Sequence, residues 1–269
     1  MRYINKLIKT MAITEDQNFD TLSSRFGKNI YDTPKGQIRL KILWRDLIES
    51  VAQIETGGLS ILDAGAGHGN FALQLAQKNN QLTLCDLSKN MLDAAKQNFA
   101  KHHLDKETKF IHGSVQKLIE QSEQQYDVIL FHAVLEWLVE PEQTLKKLLS
   151  LIRPHGYLSL MFYSRTGLVY QNLSRGNFDY VLNDTLAGEG KSLTPTNPQD
   201  PLEVQQWLED AGLTILNKSG VRVFYDALSR ERRKDINEAQ LYELEKKYSR
   251  KEPYCSLARY VHILCKKLD

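Results

Sequence analysis

Residues 60–76 read SILDAGAGHGNFALQLA, and they decide the fold. A short apolar run, Leu59, Ile61 and Leu62, ends in Asp63. Gly65, Gly67 and Gly69 follow, and then Phe71, Leu73, Leu75 and Ala76 form an apolar pattern that suits a helix. The order is strand, glycine turn, helix. Alternate glycines let the chain turn sharply and let a ligand lie against bare main chain. The helix that follows presents unpaired N–H groups at its start. The stretch predicts a nucleotide-type cofactor site on an open α/β sheet.

The acid before the glycines discriminates between cofactors. A dinucleotide loop holds a pyrophosphate at its helix start, and a carboxylate two positions before Gly65 repels one. The same carboxylate suits a cationic ligand. The pattern Asp63-Ala-Gly65-Ala-Gly67-His-Gly69 resembles the first motif of class I methyltransferases, which bind S-adenosylmethionine. That resemblance implies contacts from Asp63, Gly65, Ala66 and Gly67. It also implies a Rossmann-like α/β fold, with a mostly parallel seven-stranded sheet and helices on both faces. Residues 81–85 read as the second strand, with Asp86 at its end. An acid about 20 residues beyond such a loop hydrogen-bonds ribose hydroxyls. Asp86 is therefore expected at the adenosyl ribose, with Leu87 beside it, and Ser88 suits the N-cap of the next helix.

Composition narrows the class without choosing a substrate. The 269 residues are 42% hydrophobic with a net charge of +2, enough apolar material for a sizeable core and no global bias toward nucleic acid. No apolar run approaches membrane-spanning length. Cys85, Cys255 and Cys265 lack ligand-like spacing, so no metal is expected, and a reducing cytoplasm is. Residues 1–17 read as a poorly ordered extension, and residues 18–269 as one domain.

Within that domain, residues 18–54 predict an N-terminal helical cap, with Ile38, Leu40, Ile42, Leu43, Leu47, Ile48 and Val51 in a helical pattern after Pro34. Arg39, near the start of that helix, suits the methionyl carboxylate of the cofactor. Further strands are read at 108–112, 126–131 and 157–163, a turn at 153–156, β-prone runs at 213–217 and 221–225, a helix at 238–248 and a closing strand at 259–265. In the methyltransferase fold the loop after the third strand meets adenine, which implicates Val115 and Gln116. The loop after the fourth strand flanks the methyl donor, which implicates His132, with Trp137 packed nearby. Residues 164–201, rich in Gly, Pro and aromatic residues, read as a lid-like insertion on the substrate side.

The resemblance extends beyond cofactor motifs. NFD at 18–20, NIYDTPKGQIR at 29–39, ILFHAVLEW at 129–137, LSLMFY at 158–163, GNFDY at 176–180 and GVRVFYD at 220–226 resemble the bacterial tRNA 5-carboxymethoxyuridine methyltransferases. That family esterifies the carboxylate of a wobble uridine, position 34 of the anticodon loop, using S-adenosylmethionine. A methyltransferase of small carboxylic acids and a non-catalytic RNA-binding module are the other readings of these residues. The chemistry suits the absence of a triad: a carboxylate is ionised at pH 7 and needs no general base to attack a methyl sulfonium. A cation must still orient it. Arg222 is the expected one, with Tyr163 second and Asn177 and Tyr225 behind. Phosphates of tRNA call for local positive charge. Lys28, Lys35, Lys41 and Arg45 form one candidate cluster, Arg230, Arg232, Arg233 and Lys234 a second, and Lys246, Lys247, Arg250 and Lys251 a third. Tyr31, Tyr163 and Phe178 are the aromatic candidates for stacking on an unpaired base.

Overall fold

A computed structural model describes residues 15–21, 33–184, 186–188, 194–229 and 231–268. The segment 1–13, Lys28, Tyr31 and Arg230 lie outside the described residues.

Seven strands form one sheet in the order β3-β2-β1-β4-β5-β7-β6. The strands are β1 (Ser60–Ala64), β2 (Gln81–Asp86), β3 (Lys109–His112), β4 (Tyr126–His132), β5 (Ile152–Tyr163), β6 (Leu213–Val221) and β7 (Tyr260–Lys267). β1 to β5 run parallel, and β7 is inserted antiparallel between β5 and β6. The order reverses at β1, so the connections leaving β1 and β4 pass to opposite faces of the sheet, and the C-terminal ends of these two strands open the crevice where such sheets bind ligands. Ile61, Leu62, Val128, Ile129, Leu130 and Phe131 are fully buried, as strands covered on both faces require.

One face is covered by α1 (Pro34–Ser50), α2 (Asn70–Ala76) and α3 (Lys89–Ala100). The other is covered by α4 (Val115–Gln121) and α5 (Pro141–Leu148), together with α8 (Pro201–Asp210). Between them in the chain, α6 (Arg165–Leu173) and α7 (Phe178–Leu182) build the insertion after β5, and an isolated bridge pairs Gln199 with Ser164 where the chain returns. Last come α9 (Glu238–Tyr248), on the face of α1, and the short α10 (Tyr254–Leu257).

α1 begins where Thr33 caps Gly36 N–H and Pro34 occupies the first turn, a position that requires no N–H donor. It buries Ile42, Leu43 and Leu47 completely, roughly 1.5–3 kcal/mol for each side chain. Ser88 caps α3 through Met91 N–H, the role its sequence position suggested.

Two local expectations are corrected. The turn expected at 153–156 is an irregularity inside β5: pairing shifts from Tyr126↔Ile152 to Val128↔Tyr157. His155 takes φ +62° there, so the extra residues bulge out and the strand resumes. The β-prone run 221–225 is not a strand. β6 ends at Val221, and the N–H groups of Val223, Phe224 and Tyr225 all donate to the Glu245 carboxylate on α9. Main-chain donors committed to a side chain cannot join a ladder.

Candidate active site

The C-terminal ends of β1, β2 and β4 converge on a pocket lined by Asp63, Gly65, Ala66, Gly67, Asp86, Leu87, Val115, Gln116, His132 and Arg39. Each residue named from sequence for cofactor contact is on this surface. Gly65 (φ +86°) and Gly67 (φ +55°) are left-handed, and a Cβ on Gly65 would run into the Val134 side chain. Only glycine fits there.

Asp63 is buried at the end of β1. Burial, and then the neighbouring Asp86 carboxylate, push its carboxyl up to about 7. A buried acid under this strain favours a bound cation, which returns it to the ionised form. Asp86 accepts Gly67 N–H at 2.7 Å and Ser88 N–H at 2.8 Å. It therefore fixes the glycine turn, and its oxygens keep lone pairs for hydroxyl donors. Val115 and Gln116 open α4 after the Ser114 cap, so their N–H groups precede any intrahelical acceptor. Gln116 donates to Asp16 at 2.7 Å and to Thr144 at 3.3 Å, while its Oε1 is buried with no partner. An unsatisfied buried acceptor is costly; in a nucleotide pocket it suits an amino donor on a base edge. These features fit an adenosyl cation.

Asp16, Gln17 and Phe19 also line the pocket. Asp16 accepts Val139 N–H, Gln17 N–H donates to Trp137 O, and Phe19 stands edge-on to Trp137 with centroids 4.8 Å apart. Sequence reasoning placed residues 16 and 17 in the extension; here they lie over the cofactor pocket.

A second pocket adjoins the first, sharing Arg39, Ala133 and Trp137 with it. Its other walls are Lys35, Gly36, Glu136, Tyr163, Arg222, Arg259 and Tyr260. Arg222 and Tyr163, both expected from sequence, meet here. Arg222 is buried at φ +65°, an unfavourable conformation for an arginine. It donates to Asp226 at 2.7 Å, yet its Nε is buried without a partner. Arg259 donates to the same Asp226 oxygen at 3.1 Å. Burial alone raises the Asp226 carboxyl; the two guanidiniums overcome that and hold it below the ordinary carboxylate range. One carboxylate thus shares two arginines and leaves the pocket with excess positive charge. Arg39 lies 4.4 Å from the Tyr260 ring centroid. Burial pushes the Tyr163 hydroxyl up to about 12 and the Glu136 carboxyl up to about 7, so the tyrosine is neutral at pH 7 and Glu136 is about half protonated there.

Sequence reasoning missed Lys35 as a pocket residue, and it missed Glu136, Asp226, Arg259 and Tyr260 altogether. Arg259 was read as the first residue of a closing strand, and no local pattern marks it. Three expectations are corrected. Asn177 is exposed, donates its amide to Asn172 and does not line the pocket. Arg45 is not a surface cation: it is buried against Asp46, Ser219 and Ser249. Its spacing of three from Ile42 already put it on the apolar face. Arg250 is likewise committed, to Asp46 and Glu49.

The comparisons agree with this geometry. Residues 55–212 match the family model of the methyltransferase domain. The chain is 44% identical over 254 residues to the tRNA 5-carboxymethoxyuridine methyltransferase of Escherichia coli (strain K12), covering 94% of this chain and 97% of that one. A shorter match, 28% identical over 63% of this chain and 69% of the relative, is to a ubiquinone biosynthesis O-methyltransferase of Coxiella burnetii. Among solved structures, magnesium protoporphyrin IX methyltransferase from Synechocystis PCC 6803 with bound SAH superposes with a TM-score of 0.61. Its identity is 15%, with 93% of this chain and 96% of that chain covered, a likeness of fold. The chain binds S-adenosylmethionine as a class I methyltransferase and belongs to the family of the tRNA 5-carboxymethoxyuridine methyltransferases.

Proposed function

We propose that this protein esterifies the carboxylate of 5-carboxymethoxyuridine at wobble position 34 of tRNA. The observation that carries the reading is the junction of the two pockets through Arg39, Ala133 and Trp137. One is shaped for an adenosyl cation, and the other carries Lys35, Arg222 and Arg259 for an anion. S-adenosylmethionine supplies an electrophilic methyl group on a sulfonium when bound.

The chain's own residues then bind and orient. Asp63 balances the cofactor's positive charge, Arg39 takes its methionyl carboxylate, and Asp86 with Leu87 meets the ribose. Gln116 and the Val115 N–H read the adenine, and His132 meets the methionyl group. Residues 15–21 fold over this pocket and exclude water from it. In the second pocket Arg222 and Arg259 hold one oxygen of the substrate carboxylate, while Tyr163 bounds the uridine side. The other oxygen faces the junction. The substrate is already an anion, so no side chain has to remove a proton, and the rate gain comes from alignment, worth up to roughly 7–11 kcal/mol in well-oriented systems. Residues of the third basic cluster, Lys246, Lys247 and Lys251, together with Arg232 and Lys234, hold phosphates.

The test uses tRNA from cells lacking the protein, incubated with it and labelled S-adenosylmethionine, then digested to nucleosides for mass spectrometry. Gain of one methyl on 5-carboxymethoxyuridine is the expected result. No gain, with the carboxylate nucleoside present and cofactor bound, would overturn the reading in favour of a small carboxylic acid.

A further inference from the structure

A polar seam crosses the face of the sheet that α1 covers. β4, β5, β7 and β6 place His132, Met161, His262 and Ser219 in register as one row. Ser159 sits two residues before Met161 and so on the same face. His132 Nε2 is 2.8 Å from Ser159 Oγ, Ser159 Oγ is 2.9 Å from His262 Nε2, and His262 Nδ1 is 2.8 Å from Asp46 Oδ2. Asp46, Ser159 and His262 have no solvent exposure. The seam runs through a layer that is otherwise apolar, mostly Leu, Ile, Val, Ala and Phe. Polar groups so placed cost stability unless fully satisfied, and a run of apolar side chains would hold the same layers together.

The proton positions follow from charge and donor count. Burial alone raises the Asp46 carboxyl; hydrogen bonds from His262 and Arg250 and the charge of Arg45 reverse this and keep it ionised. An ionised carboxylate only accepts, so His262 Nδ1 carries a proton. Arg45 and Arg250 already balance Asp46 and Glu49, Arg250 being 2.7 Å from Glu49. With that one proton, the His262 ring keeps a lone pair on Nε2. Ser159 must then donate to His262 and accept from His132 Nε2–H. His132 lies on the cofactor side of the seam, and burial and then the Arg39 charge disfavour its charged form. With one proton, on Nε2, its Nδ1 is a lone pair. No described group pairs with Nδ1, and it is not among the fully buried unpartnered atoms, on a ring that lines the cofactor pocket. Phe71 stands edge-on to that ring, centroids 5.4 Å apart, and fixes its plane.

We infer that Asp46, acting through His262 and Ser159, is a positioning residue that sets the tautomer of His132, so that Nδ1 accepts a hydrogen bond from the ammonium of the cofactor's amino-acid moiety. The inference rests on the reading that His132 meets the methionyl group.

Asp46→Asn is the discriminating variant. Its amide oxygen stays with the two arginines, and its NH₂ turns to His262 Nδ1. His262 then carries its proton on Nε2, Ser159 reverses, and the His132 proton moves to Nδ1, a donor facing a cation. Histidine ¹⁵N NMR reads the tautomer directly, and calorimetry reads binding of S-adenosylhomocysteine against 5′-methylthioadenosine, which lacks the amino acid. The expected result is an Nε2–H tautomer of His132 in the wild type and Nδ1–H in Asp46→Asn. S-adenosylhomocysteine affinity falls tenfold or more, and methylthioadenosine affinity stays within twofold. Ser159→Ala, which keeps the Asp46 ion pairs, is expected to lose the fixed tautomer and the same selective affinity. An unchanged His132 tautomer in both variants overturns the relay. A changed tautomer with unchanged S-adenosylhomocysteine affinity overturns instead the contact of His132 with the methionyl group. Equal losses for both ligands mark a merely structural role and also overturn the inference.

Discussion

The two adjoining pockets are built in opposite ways. The cofactor pocket takes its floor from neighbouring strand ends, with Asp63 to Gly67 at the end of β1, Asp86 and Leu87 at the end of β2, and His132 at the end of β4. Each contact is a short motif whose geometry is local. The arginine pocket gathers Lys35 and Arg39 from α1, Glu136 from the loop after β4, Tyr163 from β5, Arg222 from beyond β6 and Arg259 from before β7. Asp226 bridges two of these cations, and Glu245 pins the loop that carries Arg222. The pocket that fits a cofactor common to many enzymes is built by local chain geometry, and the pocket that fits a particular anion by tertiary assembly.

If this division holds, Arg222→Ala produces the largest effect. It removes a buried cation that lines the second pocket, typically 2–5 kcal/mol for truncating one partner of a buried charge pair. kcat/KM for tRNA methylation is expected to fall about 100- to 1,000-fold, or roughly 3–4 kcal/mol, with S-adenosylhomocysteine affinity unchanged by calorimetry. Loss of cofactor affinity would break the separation of the pockets.

Asp63→Asn is the reciprocal variant. It should weaken S-adenosylmethionine about 10- to 100-fold, near 1.4–2.7 kcal/mol. The cofactor-free protein moves the other way. The Asp63 carboxyl is raised from 3.8 to about 7 by folding, so the folded state binds the extra proton and loses stability as pH rises through that window. Removing the acid should raise the melting temperature at pH 8, by about 1–3 kcal/mol of stability. In the wild type, cofactor affinity should fall as pH drops below about 7, because a protonated Asp63 no longer balances a cation.

These pockets also explain what was legible in the chain. The glycine turn, its acid, the positions of most strands and the helix at 238–248 follow from periodicity and spacing, which act over a few residues, whereas the seven-stranded sheet is what the family resemblance implies. Arg259 and Glu136 carry no such mark, because their partners lie far away in the chain. Arg222 was legible only as a cation between apolar residues; its left-handed backbone and its bond to Asp226 come from Glu245 claiming the next three N–H groups. Arg45 shows a signal misread: its helical spacing pointed inward, but its charge suggested solvent.

A smaller effect is expected at Glu136. Burial raises its carboxyl to about 7, so it is neutral below that pH and becomes an anion above it. It shares the pocket with Lys35, Arg39, Arg222 and Arg259, which an ionised Glu136 would draw from the substrate. KM for tRNA should rise a few-fold from pH 6.5 to 8.5, and Glu136→Gln should flatten that rise in steady-state kinetics. The smallest effect belongs to Asn177→Ala, in the insertion but outside both pockets, with kcat and KM expected within twofold of wild type.

The most direct test of the division between the pockets is a crystal structure with S-adenosylhomocysteine and an anticodon stem–loop carrying 5-carboxymethoxyuridine. The account predicts the nucleoside carboxylate within hydrogen-bonding distance of Arg222 and Arg259, with its second oxygen turned to the cofactor sulfur at the junction by Ala133. A carboxylate bound away from both arginines, with the cofactor in place, would contradict it.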